Sequence, residues 1–294
     1  MAAGNLRDIK RRIKSIDSTA HITNAMKLVS SAKLRRAKAT YEKVDKYLYL
    51  IQQSIEDVFK KASDIPDEYT KVKAHVNRTC YIIITGNRGL CGGFNSSVIR
   101  RALYEMQKEA HEEDREDPVL VTIGLKGKEF FSKRGYDIES EYLSPPEDIS
   151  FVGTQAGSKP IVDMYREDKI DKIVLIYNRY VDSFRQEVSV KTLLPFVYAQ
   201  AESETKTERK YIEYEPSMEE VLNYLIPKYV EVMIYGAMIE SATSEHAARR
   251  MAMENASESA KDMIAQLNLS FNQARQAAIT NEISEVVRGS EALK

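Results

Sequence analysis

The 294-residue chain has few cysteines and no long apolar run. Its two cysteines, Cys80 and Cys91, are too few for a disulfide framework and form no C-x-x-C pair, so a reducing compartment fits best. No apolar stretch approaches the roughly 18 residues that a membrane-spanning helix needs. The first residues lack the apolar core of a secretory signal, and the acids Asp8 and Asp17 interrupt what would otherwise resemble a transit peptide. We therefore expect mature structure there and no direct membrane insertion.

Glycine and proline are almost absent from both ends of the chain. No glycine lies between Gly4 and Gly86, and no proline follows Pro227. Most of the 12 glycines instead lie between Gly86 and Gly157. Because these two residues interrupt helices, the ends are predicted to be long helices and the middle to contain the turns.

Apolar residues at both ends recur with alternating steps of three and four, which is typical of a coiled-coil seam. The N-terminal seam comprises Leu6, Ile9, Ile13, Ile16 and Ala20, with Leu28, Ala32, Tyr41, Val44, Leu48, Ile51, Ile55 and Val58 following less regularly. The C-terminal seam comprises Ala260, Ile264, Leu267, Phe271, Ala274 and Ala278. Helices this long are not stable alone in water, so we expect them to pair antiparallel. Ordinary bundle helices within a globular protein are the alternative.

Beyond Ala278 the apolar residues move to another face of the predicted helix. This second stripe comprises Ile279, Ile283, Val286 and Val287. We expect it to face something outside the chain.

The middle of the chain alternates between β and α patterns. Largely apolar runs predict strands at 80–85, 119–124 and 172–180, with a possible fourth at 189–196. Helical stretches are predicted at 96–110, near 126–134 and at 159–168. Buried strands separated by helices indicate a mostly parallel sheet covered on both faces. The fold class is therefore α/β, with a long antiparallel coiled coil and an inserted Rossmann-like domain.

A glycine-rich loop, TGNRGLCGGFN at 85–95, follows the first strand. Such a loop before a helix suits phosphate binding, because backbone N–H groups attract anions there. However, no lysine follows these glycines as a P-loop requires, and no G-x-G is present for a dinucleotide. A tight turn packed against a neighbouring chain is the alternative that we favour.

The remaining residue types predict no active site and no cofactor. The four histidines are scattered, so Cys91 lacks the spacing expected of a nucleophile with a base. No cluster of His, Cys and carboxylates has metal-ligand spacing.

Charge is nearly balanced overall but uneven along the chain. The 43 basic and 44 acidic residues argue against a nucleic-acid protein defined by its total charge. The first 46 residues, in contrast, contain 12 Lys/Arg and only 4 Asp/Glu. This basic face is either a solvated helix surface or a site for an acidic protein or a nucleic-acid backbone.

Four segments carry a resemblance to a known family. The N-terminal segment 9–37, the C-terminal segment 244–293, GLCGGFN at 89–95 and YEP at 214–216 closely resemble the γ subunit of F-type ATP synthases. The likeness covers essentially the whole chain. Ser290 replaces an alanine common in the family, and Lys27 stands where some relatives carry an acid. The cysteine pair of redox-regulated chloroplast forms is missing.

The resemblance implies a central rotor shaft that is not itself catalytic. Its partners would be the hexameric ring of α and β subunits, the ε subunit and the membrane c-ring, with no nucleic acid. Ion flow, of H⁺ or Na⁺, would turn the shaft, and catalysis would occur on β. We expect a peripheral protein at the cytoplasmic face of a bacterial membrane, with domains at 1–60, 75–200 and 215–294.

The resemblance also implies four groups of partner-binding residues. Polar contacts to β loops are expected from Arg275, Gln276, Thr280 and Glu282. The acidic lever segment of β would face Met26, Lys27, Lys33 and Arg36. The apolar stripe at Ile279, Ile283, Val286 and Val287 would lie in a bearing formed by α and β. The rotor-ring end would comprise Tyr211, Tyr214 and Glu215.

Overall fold

The structure is a computed structural model that describes residues 2–61, 73, 76–110, 116–142, 151–196, 215 and 217–291. Both ends are long helices, as their lack of glycine and proline predicts. In chain order, the elements of this part are α1 (Ala2–Lys61), β1 (Thr79–Ile84), α2 (Phe94–Ala110), β2 (Val119–Ile123), α3 (Leu125–Ser132), β3 (Ile138–Tyr142), α4 (Phe151–Arg166), β4 (Lys172–Tyr180), β5 (Gln186–Leu194) and α5 (Met218–Glu291).

The first compact unit comprises Met1–Ala32 and Arg249–Lys294, which contain the outer parts of α1 and α5. Contacts join Thr23 to Ser257 and Lys27 to Glu254, so the residue numbers in α5 fall as those in α1 rise. The two helices therefore run antiparallel. The predicted seam residues from Leu6 to Ala20, and from Ala260 to Ala278, are buried or half-buried.

The α1 seam differs from the sequence prediction after Ala20. Leu28 is 62% exposed and Ala32 is also exposed, so neither lies in the seam. The three-and-four rhythm instead continues through Thr23, Lys27 and Ser30, of which the two hydroxyl residues are buried. The apolar pattern misses these positions because their side chains are polar.

The second compact unit, Lys33–Ala248, contains a five-stranded sheet in the order β3-β2-β1-β4-β5. The first four strands are parallel, and β5 is antiparallel to β4. The predicted mostly parallel sheet is confirmed. Its β3 strand was not predicted, because the sequence IESEY is polar and half-exposed.

Both faces of the sheet are covered. The side chains of β1 alternate between the two faces, and all of them are buried. Tyr81 and Ile83 point to one face, where they pack with α2 and α3. Cys80, Ile82 and Ile84 point to the other, where they pack with α4 and with the inner parts of α1 and α5. Between Tyr229 and Ala247, α5 is buried on nearly all sides. The predicted α/β fold with long terminal helices is therefore confirmed.

Candidate partner interface

A pair of hydroxyl groups joins the helices of the first unit. The Thr23 and Ser257 oxygens lie 2.7 Å apart, and Thr23 also donates to the Ala20 carbonyl at 3.0 Å. Because both side chains are buried, each satisfies a group that would otherwise lose its water partner. The pair fixes the register of the helices at a polar position of the seam.

Met26 and Lys27, predicted to face a partner's acidic segment, are only half-exposed. Lys27 Nζ lies 3.9 Å from a Glu254 carboxylate oxygen, and Arg250 lies 3.4 Å from the other oxygen. Two cations therefore share one carboxylate in this unit. Such an arrangement leaves the local charge positive, which suits an anionic partner.

Lys33 and Arg36 belong to the second unit, where both are exposed. They flank Leu34, which is buried. Their positions on the outer face of α1 make both cations accessible to a partner.

The four predicted polar contacts in the C-terminal part of α5 are all exposed. Arg275, Gln276 and Glu282 reach solvent, whereas the hydroxyl of Thr280 donates to the Gln276 carbonyl at 3.0 Å. Thr280 therefore offers a methyl group and an acceptor oxygen to a partner, since its proton is already used.

The apolar stripe beyond Ala278 lies on the surface of the first unit. Ile279, Ile283, Val286 and Val287 are between 48% and 71% exposed. Their spacing of four, three and one places them on one face of the helix. The stripe is exposed in this unit, and a concentration of exposed β-branched residues is typical of a binding surface. That it faces a partner stays a prediction.

The predicted rotor-ring residues are described only in part. Glu215 is exposed just before α5 begins, while Tyr211 and Tyr214 lie outside the described residues. The expected contact of this group stays a prediction.

The glycine-rich loop is held by its own polar groups. The side chain of Asn95 accepts from Gly86 N–H at 2.8 Å and donates to the Arg88 carbonyl at 3.2 Å, and Asn87 accepts from Leu125 N–H at 2.7 Å. At the tip, Leu90 adopts a φ of 60° and is 64% exposed. These contacts fix the loop through its asparagines, and the exposed leucine at its tip suits a protein contact.

Neither cysteine is arranged for chemistry. Burial raises the pKa of the Cys80 thiol to about 12, so it stays protonated. Cys91 is buried in the loop, with its sulfur 3.4 Å from Asn95 Nδ2. Over the described residues, no His, Cys, Asp and Glu side chains are grouped to bind a metal, and no helix could span a membrane.

Sequence reasoning missed a buried carboxylate in the second unit. Glu240, in α5, is only 7% exposed and lies at a cavity of about 560 Å³. Around the cavity are tyrosines of α1 and β4 and the cations Arg179 and Lys191. The one sequence signal for this burial is that Glu240 lies among small and apolar residues of α5.

Known proteins resemble the chain over its full length. The family model described as ATP synthase matches residues 5–293. The ATP synthase gamma chain of Alkaliphilus metalliredigens is 42% identical, covering 98% of this chain and 99% of the relative. A gamma chain described as sodium ion specific, from Acetobacterium woodii, is 39% identical and covers 99% of both.

A solved structure agrees with these relatives. The central stalk and c-ring of the Tetrahymena thermophila mitochondrial ATP synthase contains a chain that is 25% identical, with a TM-score of 0.63. The match covers 80% of this chain and 99% of the other. With the two long terminal helices and the inserted sheet, these similarities show that the chain belongs to the ATP synthase gamma-chain family.

Proposed function

We propose that the chain is the central rotor shaft of an F-type ATP synthase. In this role it couples ion-driven rotation of a membrane ring to conformational change in catalytic β subunits. The single observation that carries the proposal is full-length membership of the gamma-chain family. The chain transmits torque, and the nucleotide chemistry takes place on β.

The surfaces of the first unit suit a shaft that turns inside a ring of α and β subunits. The stripe at Ile279, Ile283 and Val286 gives an apolar contact with no directional bonds, which a rotating surface can leave as easily as it enters. Next to it, Arg275 and Gln276 offer directional contacts to β loops. Apolar contact supports the turning helix, and the polar groups distinguish one β state from another.

The basic part of α1 suits the acidic lever segment of β. Lys27 has its charge shared with Glu254, while Lys33 and Arg36 are exposed. Exposed charge pairs add little to stability and act mainly through attraction over about a Debye length. Such contacts are weak enough to be made and broken at each step of rotation.

The remaining partners are the ε subunit and the c-ring. The proposed contact with the c-ring comprises Glu215 together with Tyr211 and Tyr214, which lie outside the described residues. The chain is a peripheral protein at the cytoplasmic face of a bacterial membrane, supported by the bacterial relatives that it matches over nearly its whole length.

Copurification tests the proposal. A tagged chain, expressed with its own α and β subunits, should recover about three copies of each, as a closed ring around one shaft requires. Recovery of the tagged chain alone would contradict the assignment.

The contact residues are tested in the same complex. Arg275→Glu combined with Gln276→Glu should lower assembly or ATP hydrolysis, because both side chains are exposed on α5. Lys261→Glu, also exposed on that helix, is the charge-reversal control for Arg275→Glu. Equal effects of the two variants would contradict the contact assignment while leaving the shaft role intact.

A further inference from the structure

Glu240 connects three separate elements of the second unit. Its Oε1 accepts a hydrogen bond from the backbone N–H of Tyr180 in β4 at 3.1 Å. The same oxygen accepts a weaker one from the Tyr41 hydroxyl of α1 at 3.4 Å. The Tyr177 ring of β4 lines the same cavity as this carboxylate. One side chain of α5 is therefore bonded to both α1 and the sheet.

The end of β4 provides the backbone donor because its neighbouring strands differ in length. Pairing with β1 stops at Ile176, whereas pairing with β5 continues to Tyr180. The last four residues of β4 consequently lack a strand on one side. A buried N–H without a partner costs about 1–3 kcal/mol, and Glu240 satisfies the one at Tyr180. The tyrosine ring itself packs edge-on against Tyr41, with centroids 6.5 Å apart.

The charged groups around the carboxylate do not neutralise it by direct contact. Asp45 of α1, Arg179 of β4 and Lys191 of β5 share the cavity with it. Arg179 is bonded to Glu187 at 3.1 Å, and no ion pair to Glu240 occurs among the described residues. Burial raises the pKa of Glu240, although the tyrosine contacts and Lys191 act in the opposite direction.

A raised pKa means that the ionised carboxylate makes the folded state less stable at neutral pH. An apolar side chain of similar size would avoid this cost, because buried charges lose their water. What the carboxylate provides instead is a directional link between the helices and the sheet. A packed apolar contact opposes separation of the helices from the sheet, but it opposes sliding between them less than a directional hydrogen bond does.

Resting on the shaft role proposed above, we propose that Glu240 is a positioning residue that clasps α1 and α5 to the end of β4 and transmits torque between sheet and helices. The load enters the sheet and must pass into the two helices through contacts within this unit. Glu240 is the group that bonds all three. The clasp is one continuous path through Tyr41, Glu240 and Tyr180.

A half-buried carboxylate elsewhere in this unit provides the control. Glu109 of α2 accepts from Thr79 at 2.9 Å, from Tyr81 at 2.7 Å and from Lys172 at 2.8 Å. These three partners lie in β1 and β4, so this carboxylate is bonded to the sheet. Removing its charge weakens a contact within the sheet unit without touching the proposed path.

The variants separate the two arms of the clasp. Glu240→Leu removes every bond, whereas Tyr41→Phe removes only the hydroxyl that reaches from α1. Glu240→Gln keeps an acceptor oxygen for Tyr180 and should behave nearly as the unchanged protein. Glu109→Gln is the control. Tyr41→Phe also keeps the test valid if Glu240→Leu fails to fold.

The decisive measurement uses the assembled complex with nucleotide-stalled β subunits. A rod attached to the sheet domain reports its angular fluctuations while the ring holds the helices. We expect Glu240→Leu and Tyr41→Phe to increase the angular variance about twofold or more, while Glu240→Gln and Glu109→Gln leave it unchanged. Amide exchange at Tyr180 should accelerate about 2- to 10-fold in Glu240→Leu, as the loss of one hydrogen bond predicts.

The outcomes distinguish the clasp from the shaft role. If the unchanged chain neither assembles with α and β nor rotates, the shaft role fails and the clasp fails with it. If it assembles and rotates but Tyr41→Phe and Glu240→Leu match Glu109→Gln in angular variance, the shaft role stands and the clasp is wrong.

Discussion

At the scale of single residues, the buried acids of the second unit differ in whether their charge stabilises the fold. Asp171 directly precedes β4. Its carboxylate accepts hydrogen bonds from Lys73 at 2.6 Å, from the Asn77 N–H at 2.8 Å and from the Arg78 N–H at 3.0 Å. Although burial acts against it, these donors hold the pKa of Asp171 below its ordinary value. This acid therefore stabilises the fold, in contrast to Glu240.

Asp171→Asn is expected to lower the free energy of unfolding by about 2 kcal/mol at neutral pH, because hydrogen bonds to a buried charge are lost. The folded-state pKa is depressed, so the contribution is present above the ordinary value of 3.8 and disappears as the pH falls through the lower folded value. Denaturant titrations at neutral and acid pH measure the difference between the proteins.

Asp168→Asn is the control for Asp171, since Asp168 binds the same lysine at 2.7 Å but its side chain is 79% exposed. A solvated pair contributes at most about 1 kcal/mol. If both variants lost equal stability, the burial of Asp171 would not be the cause.

The hydroxyl pair of the first unit gives a second prediction at this scale. Thr23→Val leaves the buried Ser257 hydroxyl without its partner at 2.7 Å, so we expect a loss of about 1 kcal/mol. Adding Ser257→Ala removes the stranded group and should recover most of the loss. Thermal unfolding of both variants checks this, and additive losses would show that the two hydroxyls do not interact.

At the scale of elements, the sequence predicts best where burial and polarity agree. The C-terminal seam from Ala260 to Ala278 and the apolar strands β1, β2 and β4 were found because their buried residues are apolar. Thr23 and Ser30 were missed because their buried side chains are polar, and Thr23 is bonded across the seam to Ser257. The edge strand β3 was missed because only alternate residues are partly covered.

The same limit applies to the candidate surfaces. The turn of the apolar stripe after Ala278 could be predicted, since it follows from helical periodicity alone. Glu240 could not be predicted, because its partners Tyr41 and Tyr180 are far away in sequence. They come together in the fold where β4 extends beyond the end of β1. Long-range polar contacts leave no periodic pattern in the chain.

The packing of α4 on β3 gives a prediction at this scale. A methyl group on Gly157 would lie 2.2 Å from the Tyr142 hydroxyl and 2.4 Å from its ring carbon. Helix propensity favours Gly157→Ala by about 1 kcal/mol, but overpacking against a ring costs about 1–3 kcal/mol. We therefore expect a net loss of stability in denaturant unfolding.

Removal of the Tyr142 ring should make Gly157→Ala stabilising instead of destabilising. In a Tyr142→Ala background the clash is absent, so Gly157→Ala should stabilise the protein by up to about 1 kcal/mol. A destabilising effect in both backgrounds would mean that contact with Tyr142 is not what requires glycine.

At the scale of the whole molecule, charge and apolar surface are distributed unequally over a chain that is nearly neutral. The first 46 residues carry 12 basic and 4 acidic side chains, and the exposed apolar stripe lies near the other end of the sequence. Different partners can therefore meet different chemistry on one rotor. Basic groups act at a distance and are weakened by salt, whereas the apolar stripe acts only in contact.

The stripe supplies the prediction that separates binding from stability. Ile283→Ser with Val286→Ser changes side chains that are 59% and 71% exposed, so unfolding of the chain should change by less than about 0.5 kcal/mol. Binding to the α and β ring should weaken by about 1–3 kcal/mol, or roughly 5- to 150-fold, because that apolar area no longer leaves water. Dissociation of labelled chain from the ring measures the change.

Val152→Ser is the matched control, because Val152 is also 71% exposed but lies on α4 in the other unit. It should leave dissociation from the ring unchanged. Equal weakening by Val152→Ser would indicate that general loss of apolar surface, rather than the stripe, governs assembly. Weakening by the stripe variant alone, with unchanged folding, would establish that the outward turn after Ala278 serves a partner rather than the fold.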